Sequence, residues 1–168
     1  MTTVENSRAW SLQDVGALYR RPFLDLVYDA ATVHRAHHAK NEVQLCTLLS
    51  VKTGGCTEDC KYCSQSIFNK TNLEKETLLS VDEVLAAAKR AKEAGSTRFC
   101  MGAGIREVQN GRAFERMIEM VKGVRALGLE ACCTFGMLTE EQAIKLKEAD
   151  ITAYNHNLDT SPEYYSKI

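Results

Sequence analysis

The chain has 168 residues, 45% of them hydrophobic and 26% charged, with a formal net charge of −1 at pH 7. That length and balance support a globular domain with a core of its own and exclude a disordered polymer. The near-zero charge provides no global pull toward nucleic acid or an anionic membrane, so neither is expected as a partner and recognition must be local.

Residues Met1 to Trp10 contain Glu5 and no apolar run, which fits neither a secretory signal nor an acid-poor transit peptide, and nowhere do 18 apolar residues run together. The expected address is the cytoplasm. Phe23, Leu26, Val27, Ala30 and Val33 recur at helical spacing and predict an amphipathic helix over 24–39, with His37 and His38 as solvated residues near its end. From residue 43 onward, short apolar or β-branched runs alternate with amphipathic helical patterns, the signature of βα units and a parallel sheet.

The first strand is predicted over 43–52 and runs into Thr53-Gly54-Gly55-Cys56, whose glycines let the chain turn sharply. Ser80 and Glu83 have the spacing of a capping box, Val81, Val84, Leu85, Ala88 and Ala91 form one apolar stripe, and Gly95 ends that helix. A second strand follows over 97–103. The next helix carries Phe114, Met117, Ile118, Val121 and Val124 and ends at Gly128. A third strand over 129–135 precedes a helix opened by the Thr139/Gln142 capping box, and a fourth strand is expected over 151–157.

The series predicts an α/β fold: the N-terminal half of a TIM-type (β/α)8 barrel, truncated after its fourth strand, with helices before it. Residues 1–42 are expected as a helical extension and residues 43–168 as a single incomplete domain. The alternative is a small open doubly wound sheet, but the first βα loop lacks the GxGxxG fingerprint of dinucleotide binding.

Seven cysteines in a chain without a secretory leader favour metal ligation or catalysis over a disulfide framework. Cys56, Cys60 and Cys63 form CxxxCxxC, so three thiols within eight residues can hold three corners of an iron–sulfur cubane and leave the fourth iron open. The competing reading is a structural zinc site, which normally takes four protein ligands and paired CxxC knuckles; only Cys60 and Cys63 form such a knuckle.

With Tyr62 just before the third cysteine and a strand just before the first, this loop resembles that of the radical S-adenosylmethionine superfamily. Further segments resemble the biotin synthase family in particular: 47–56 (TLLSVKTGGC), 95–103 (GSTRFCMGA), 128–132 (GLEAC) and 154–160 (YNHNLDT). At Gly104-Ile105 the chain departs from the alanine and tryptophan that many members of that family carry.

The resemblance implies a [4Fe–4S] cluster on Cys56, Cys60 and Cys63. Its open iron chelates S-adenosylmethionine, whose reductive cleavage gives a 5′-deoxyadenosyl radical. It further implies a [2Fe–2S] cluster as sulfur donor, with Cys100 and Cys132 matching two of its ligands and the third cysteine and an arginine lying beyond residue 168. Tyr62, Asn155, Asn157 and Asp159 become cofactor-binding candidates, with Asp159 suited to the ribose hydroxyls. The implied substrate is dethiobiotin, converted to biotin by sulfur insertion without an acid–base residue. An electron donor such as a flavodoxin system and a homodimer of the full-length protein also follow.

Strand alternation bears on the same residues, because every second side chain faces the same side of a sheet. Glu130, Cys132 and Thr134 share one face, as do Arg98, Cys100 and Gly102, while the apolar set Ala131, Cys133 and Phe135 suits packing under helices. Asn155, Asn157 and Asp159 alternate too and are expected to point into the interior, unless they only cap a strand end. Cys46 falls with Leu48, Ser50 and Lys52 and is expected as a buried spectator thiol, the alternative being a neighbour of the second cluster. Two further readings compete. One is another radical enzyme, such as a lipoyl synthase, although residues 1–45 lack that family's N-terminal cysteine motif. The other is a cluster-binding fragment without turnover.

Overall fold

The computed structural model describes residues 9–157 and 160–167. The chain forms two units, one up to Val43 and one from Gln44 on. In the first, α1 (Leu12–Tyr19) opens on Ser11, whose hydroxyl caps the Asp14 N–H at 3.1 Å while the Asp14 carboxylate accepts from the Ser11 N–H at 3.1 Å. Helix α2 (Phe23–His37) follows Pro22, which cannot extend a helix backwards but starts one well. It ends two residues before its predicted limit, because His38 is extended; His37 and His38 are exposed as expected.

The second unit is a four-stranded parallel sheet in the order β1 (Cys46–Lys52), β2 (Arg98–Ala103), β3 (Glu130–Thr134), β4 (Ala153–Tyr154). Between strands run α3 (Val81–Glu93), α4 (Arg112–Ala126) and α5 (Glu140–Glu148). Both capping boxes foreseen for this unit form, Ser80 with Glu83 and Thr139 with Gln142. Each strand connects to its sheet neighbour through a crossover, the succession found around a β/α barrel.

Strand alternation decides where the core lies. Val51, Phe99, Met101, Ala131, Cys133 and Phe135 are buried against Val84, Ala88 and Ala91 of α3 and Phe114, Met117, Met120, Val121 and Val124 of α4. Full burial of a large apolar side chain is worth about 1.5–3 kcal/mol, so this face anchors the sheet. The opposite face carries the intermediate positions of β2 and β3 and is in register across the sheet. Cys46, Arg98 and Glu130 form one row; Leu48, Cys100, Cys132 and Ala153 the next; Ser50, Gly102 and Thr134 the third.

Two expectations need correction. Cys46 lies on the predicted face but is exposed, not buried. The fourth strand is two residues long rather than seven. The Asn155 N–H still reaches the Cys133 carbonyl at 2.8 Å, but its carboxamide donates to Thr134 Oγ1 and Asn157 Oδ1 instead of leaving the backbone in a ladder. Asn side chains that bond locally in this way compete with strand pairing.

Candidate functional site

The cysteine loop leaves the C-terminal end of β1 and is held as a closed unit by hydrogen bonds. Cys56 forms a bridge with the segment after the motif: its N–H donates to the Gln65 carbonyl at 3.0 Å and its carbonyl accepts from the Ile67 N–H at 2.9 Å. The Asn69 carboxamide donates to the carbonyls of Cys60 and Cys63 at 3.0 and 2.8 Å, and the buried Ser66 hydroxyl donates to the Glu58 carbonyl at 2.7 Å. The backbone between the thiols is therefore fixed by side chains outside the motif.

A cavity of about 510 Å³ opens where this loop faces the C-terminal ends of the other strands. Cys56, Cys60, Cys63 and Tyr62 form one wall; Gly104, Ile105 and Arg106 after β2, Thr134 and Gly136 at the end of β3, and Asn157 after β4 contribute to the others. In a parallel β/α sheet this end is where strand-terminal loops converge on ligands. Charge on the cavity wall is matched locally, with Arg106 3.4 Å from Glu58; beside it on the loop, Lys61 lies 2.6 Å from Asp59.

The three cysteines line one side of this cavity. Among the described residues no three His, Cys, Asp or Glu side chains converge as a mononuclear ion requires. A cubane, in which each thiolate takes a different iron, suits thiols spread around a cavity wall. Beyond them the cavity offers polar groups at Thr134 and Asn157 beside the apolar Ile105 and Met137, a mixed lining that suits an organic cofactor with a charged end.

Cys100 and Cys132 do not line this cavity; they face each other as register partners on the open side of the sheet. Thr134, which does line it, is two residues further along the strand, a rise of roughly 7 Å. Burial pushes the Cys100 thiol up to about 11, with the neighbouring Cys132 adding to the effect. In the row behind them Arg98 donates from Nε to Glu130 Oε2 at 2.7 Å, and Gln44 donates to the same oxygen at 2.8 Å. The hydrogen bond from Arg98 holds the Glu130 carboxyl below its ordinary range, so the guanidinium stays charged and aimed.

Of the other predicted residues, Tyr62 and Asn157 reach the cavity, whereas Asn155 is exposed and serves Thr134 and Asn157. Asp159 lies outside the described residues. Gln65, Ser66 and Asn69 were not foreseen from the sequence.

The family model described as the radical SAM superfamily matches residues 50–168, the stretch that carries the loop, the sheet and the cavity. The chain belongs to the radical SAM superfamily. As a radical SAM protein it has a [4Fe–4S] cluster and S-adenosylmethionine as its cofactors, and its sheet is the first half of the superfamily's (β/α)8 barrel. It is 60% identical to the biotin synthase of Myxococcus xanthus over 159 residues, 95% of this chain and 46% of that protein. It is 61% identical to that of Sorangium cellulosum over 159 residues, 95% and 46%, and 55% identical to that of Cytophaga hutchinsonii over 168 residues, 100% and 49%. The chain thus spans about half the length of the curated relatives it matches. No helix among the described residues is long and apolar enough to cross a membrane.

Proposed function

We propose that the protein to which this radical SAM chain belongs is a biotin synthase, inserting sulfur into dethiobiotin to give biotin. The observation that carries the reading is the stacking of two cysteine sets: Cys56, Cys60 and Cys63 on a cavity at the strand ends, and the Cys100/Cys132 pair behind it on the same side of the sheet. The identities of 55–61% with biotin synthases support it over other radical SAM enzymes.

In this reading Cys56, Cys60 and Cys63 hold three irons of the [4Fe–4S] cluster, and Cys100 and Cys132 hold part of a [2Fe–2S] cluster. When bound, these clusters and S-adenosylmethionine supply the electron, the hydrogen-abstracting radical and the sulfur. Asn157 offers donor and acceptor groups in the cavity and Tyr62 lines its loop side, while Asp159, by its chemistry, suits ribose hydroxyls as an acceptor. Asn155 orients Thr134 and Asn157 from outside. Charged Arg98, fixed by Glu130, offsets the negative charge of thiolates at Cys100 and Cys132. A cytoplasmic location, an electron donor such as a flavodoxin system and a homodimer complete the proposal.

The test is anaerobic reconstitution of the full-length protein with iron, sulfide, reductant, S-adenosylmethionine and dethiobiotin, followed by chromatography. Biotin and 5′-deoxyadenosine are expected from wild type and neither from Cys60→Ala. Deoxyadenosine without biotin refutes the assignment in favour of another radical SAM activity. The 168-residue chain alone is expected to make no biotin, because the resemblance places two [2Fe–2S] ligands outside it.

A further inference from the structure

The cysteine loop is internally tied, but a cluster also requires that the whole loop keep its place against the strand ends. Three residues outside the cysteine motif do this. Lys52, the last residue of β1, donates from Nζ to the Gly54 carbonyl at 2.6 Å and to the Gly104 carbonyl at 2.9 Å, and its own carbonyl accepts from the Gly104 N–H at 2.8 Å. Gln65 Oε1 accepts from the Gly54 N–H at 2.9 Å, while the Gln65 main-chain carbonyl accepts from the Cys56 N–H at 3.0 Å. One residue thus holds both ends of the turn that delivers the first cysteine.

The Gln65 carboxamide lies where a side chain on residue 104 would be. A Cβ added to Gly104 would sit 2.3 Å from Gln65 Oε1 and 3.1 Å from its carbonyl carbon, with the Gly54 nitrogen at 3.2 Å. Even one methyl group at 104 must therefore displace the acceptor from Gly54. Gly104 and Gln65 also both line the cavity, so a displaced carboxamide would intrude on the space the three cysteines line.

We propose that Gln65 is the positioning residue of the cluster loop, a latch joining the end of β2 to the first cysteine, and that in this chain, which has Gly104 where many of the family it resembles carry alanine, the latch occupies the space a Cβ at 104 would take. The role in cluster holding rests on the radical SAM reading above; the latch itself is a property of the polypeptide. Gln65 touches no reacting atom in this proposal. It acts through Gly54 and Cys56.

The test compares wild type with Gln65→Met, which keeps the length and removes the acceptor, with Gly104→Ala, with Gln65→Ala, and with the Gln65→Ala/Gly104→Ala pair. Residue-resolved amide hydrogen exchange on the metal-free full-length protein is expected to show the Gly54 N–H exchanging about threefold to tenfold faster in Gln65→Met and in Gly104→Ala, as loss of one hydrogen bond implies. In the Gln65→Ala background, Gly104→Ala should add less than about twofold, because the atom it displaces is gone. After anaerobic reconstitution, the single variants should show a shifted cluster midpoint potential, with α-helical circular dichroism unchanged. Gly54 exchange unaltered in Gln65→Met, or a Gly104→Ala effect equally large in both backgrounds, overturns the latch. A wild type that takes up no iron overturns the cluster reading instead, and the exchange comparison still decides the latch.

Discussion

Gly136→Ala tests the wall of the cavity where two strand-end loops meet. Gly136 has φ +76°, and an added Cβ would lie 2.5 Å from the Arg106 carbonyl oxygen and 2.6 Å from that of Ile105. These are backbone atoms, and the Arg106 carbonyl is itself held by the Met137 N–H at 2.9 Å, so neither can swing aside as a side-chain end would. An L-residue in the left-handed region costs about 1–2 kcal/mol. Overpacking adds about 1–3 kcal/mol. The sum, about 2–5 kcal/mol, is a large share of the 5–15 kcal/mol typical of a folded domain. Gly95→Ala is the control: it shares the positive φ, at +93°, but the nearest neighbour of an added Cβ, Leu45 Cδ1, is 3.8 Å away, so only the conformational cost applies. In urea unfolding followed by circular dichroism, a slope of about 2 kcal/mol per molar gives a midpoint loss of roughly 1–2.5 M for Gly136→Ala and roughly 0.5–1 M for Gly95→Ala. Equal losses would refute the clash argument.

Two further outcomes follow from buried groups behind the site. The Tyr154 hydroxyl donates to the Gly136 carbonyl at 2.6 Å and accepts from the Phe135 N–H at 3.1 Å, so Tyr154→Phe leaves a buried N–H without its acceptor and should cost about 1–3 kcal/mol in the same assay; a loss under about 0.5 kcal/mol would contradict it. Burial drives the Cys133 thiol upward, so the native state keeps its proton where the unfolded chain ionises. The stability this contributes is full below the unfolded thiol pKa of about 8.5 and is lost as pH rises above it. Urea midpoints from pH 7 to 10 should therefore fall less steeply in Cys133→Val than in wild type, with Cys100 supplying part of the remaining slope. Parallel declines would rule out the assignment to Cys133.

What was legible in the sequence follows from periodicity. The faces of β2 and β3 could be assigned because an alternating strand has only two registers, and the wrong one would have exposed Phe99, Met101 and Phe135. The Ser80 and Thr139 helix starts were visible because a capping box is a local bargain of two hydrogen bonds at fixed spacing. Helix α1 has the same device, Ser11 with Asp14, and that spacing was its available signal. Gln65, Ser66 and Asn69 were hidden because a side chain bonding loop carbonyls leaves no period. The extent of β4 was overread for the opposite reason: the alternation of Asn155 with Asn157 continues past the point where β4 stops pairing with β3, and the Asn155 carboxamide bonds Thr134 and Asn157 instead.

In the proposed function one substrate meets both cysteine sets, and the row between them bears on how. Moving along the open face from the Cys100/Cys132 row toward the cavity, the next row is Ser50, Gly102 and Thr134. These are small side chains or none, and a Cβ on Gly102 would meet nothing nearer than Leu48 Cδ1 at 3.9 Å. The adjoining row on the other side is Cys46 with the Arg98–Glu130 pair, whose charged groups bond each other across the strands. The face is therefore open toward the cavity and closed by an ion pair at its far end. In the proposed reading, a small organic molecule seated among Ile105, Thr134 and Asn157 would approach the thiol pair past Gly102, and a bulky residue at 102 would wall it off. That polarity is set by one glycine and one ion pair in register.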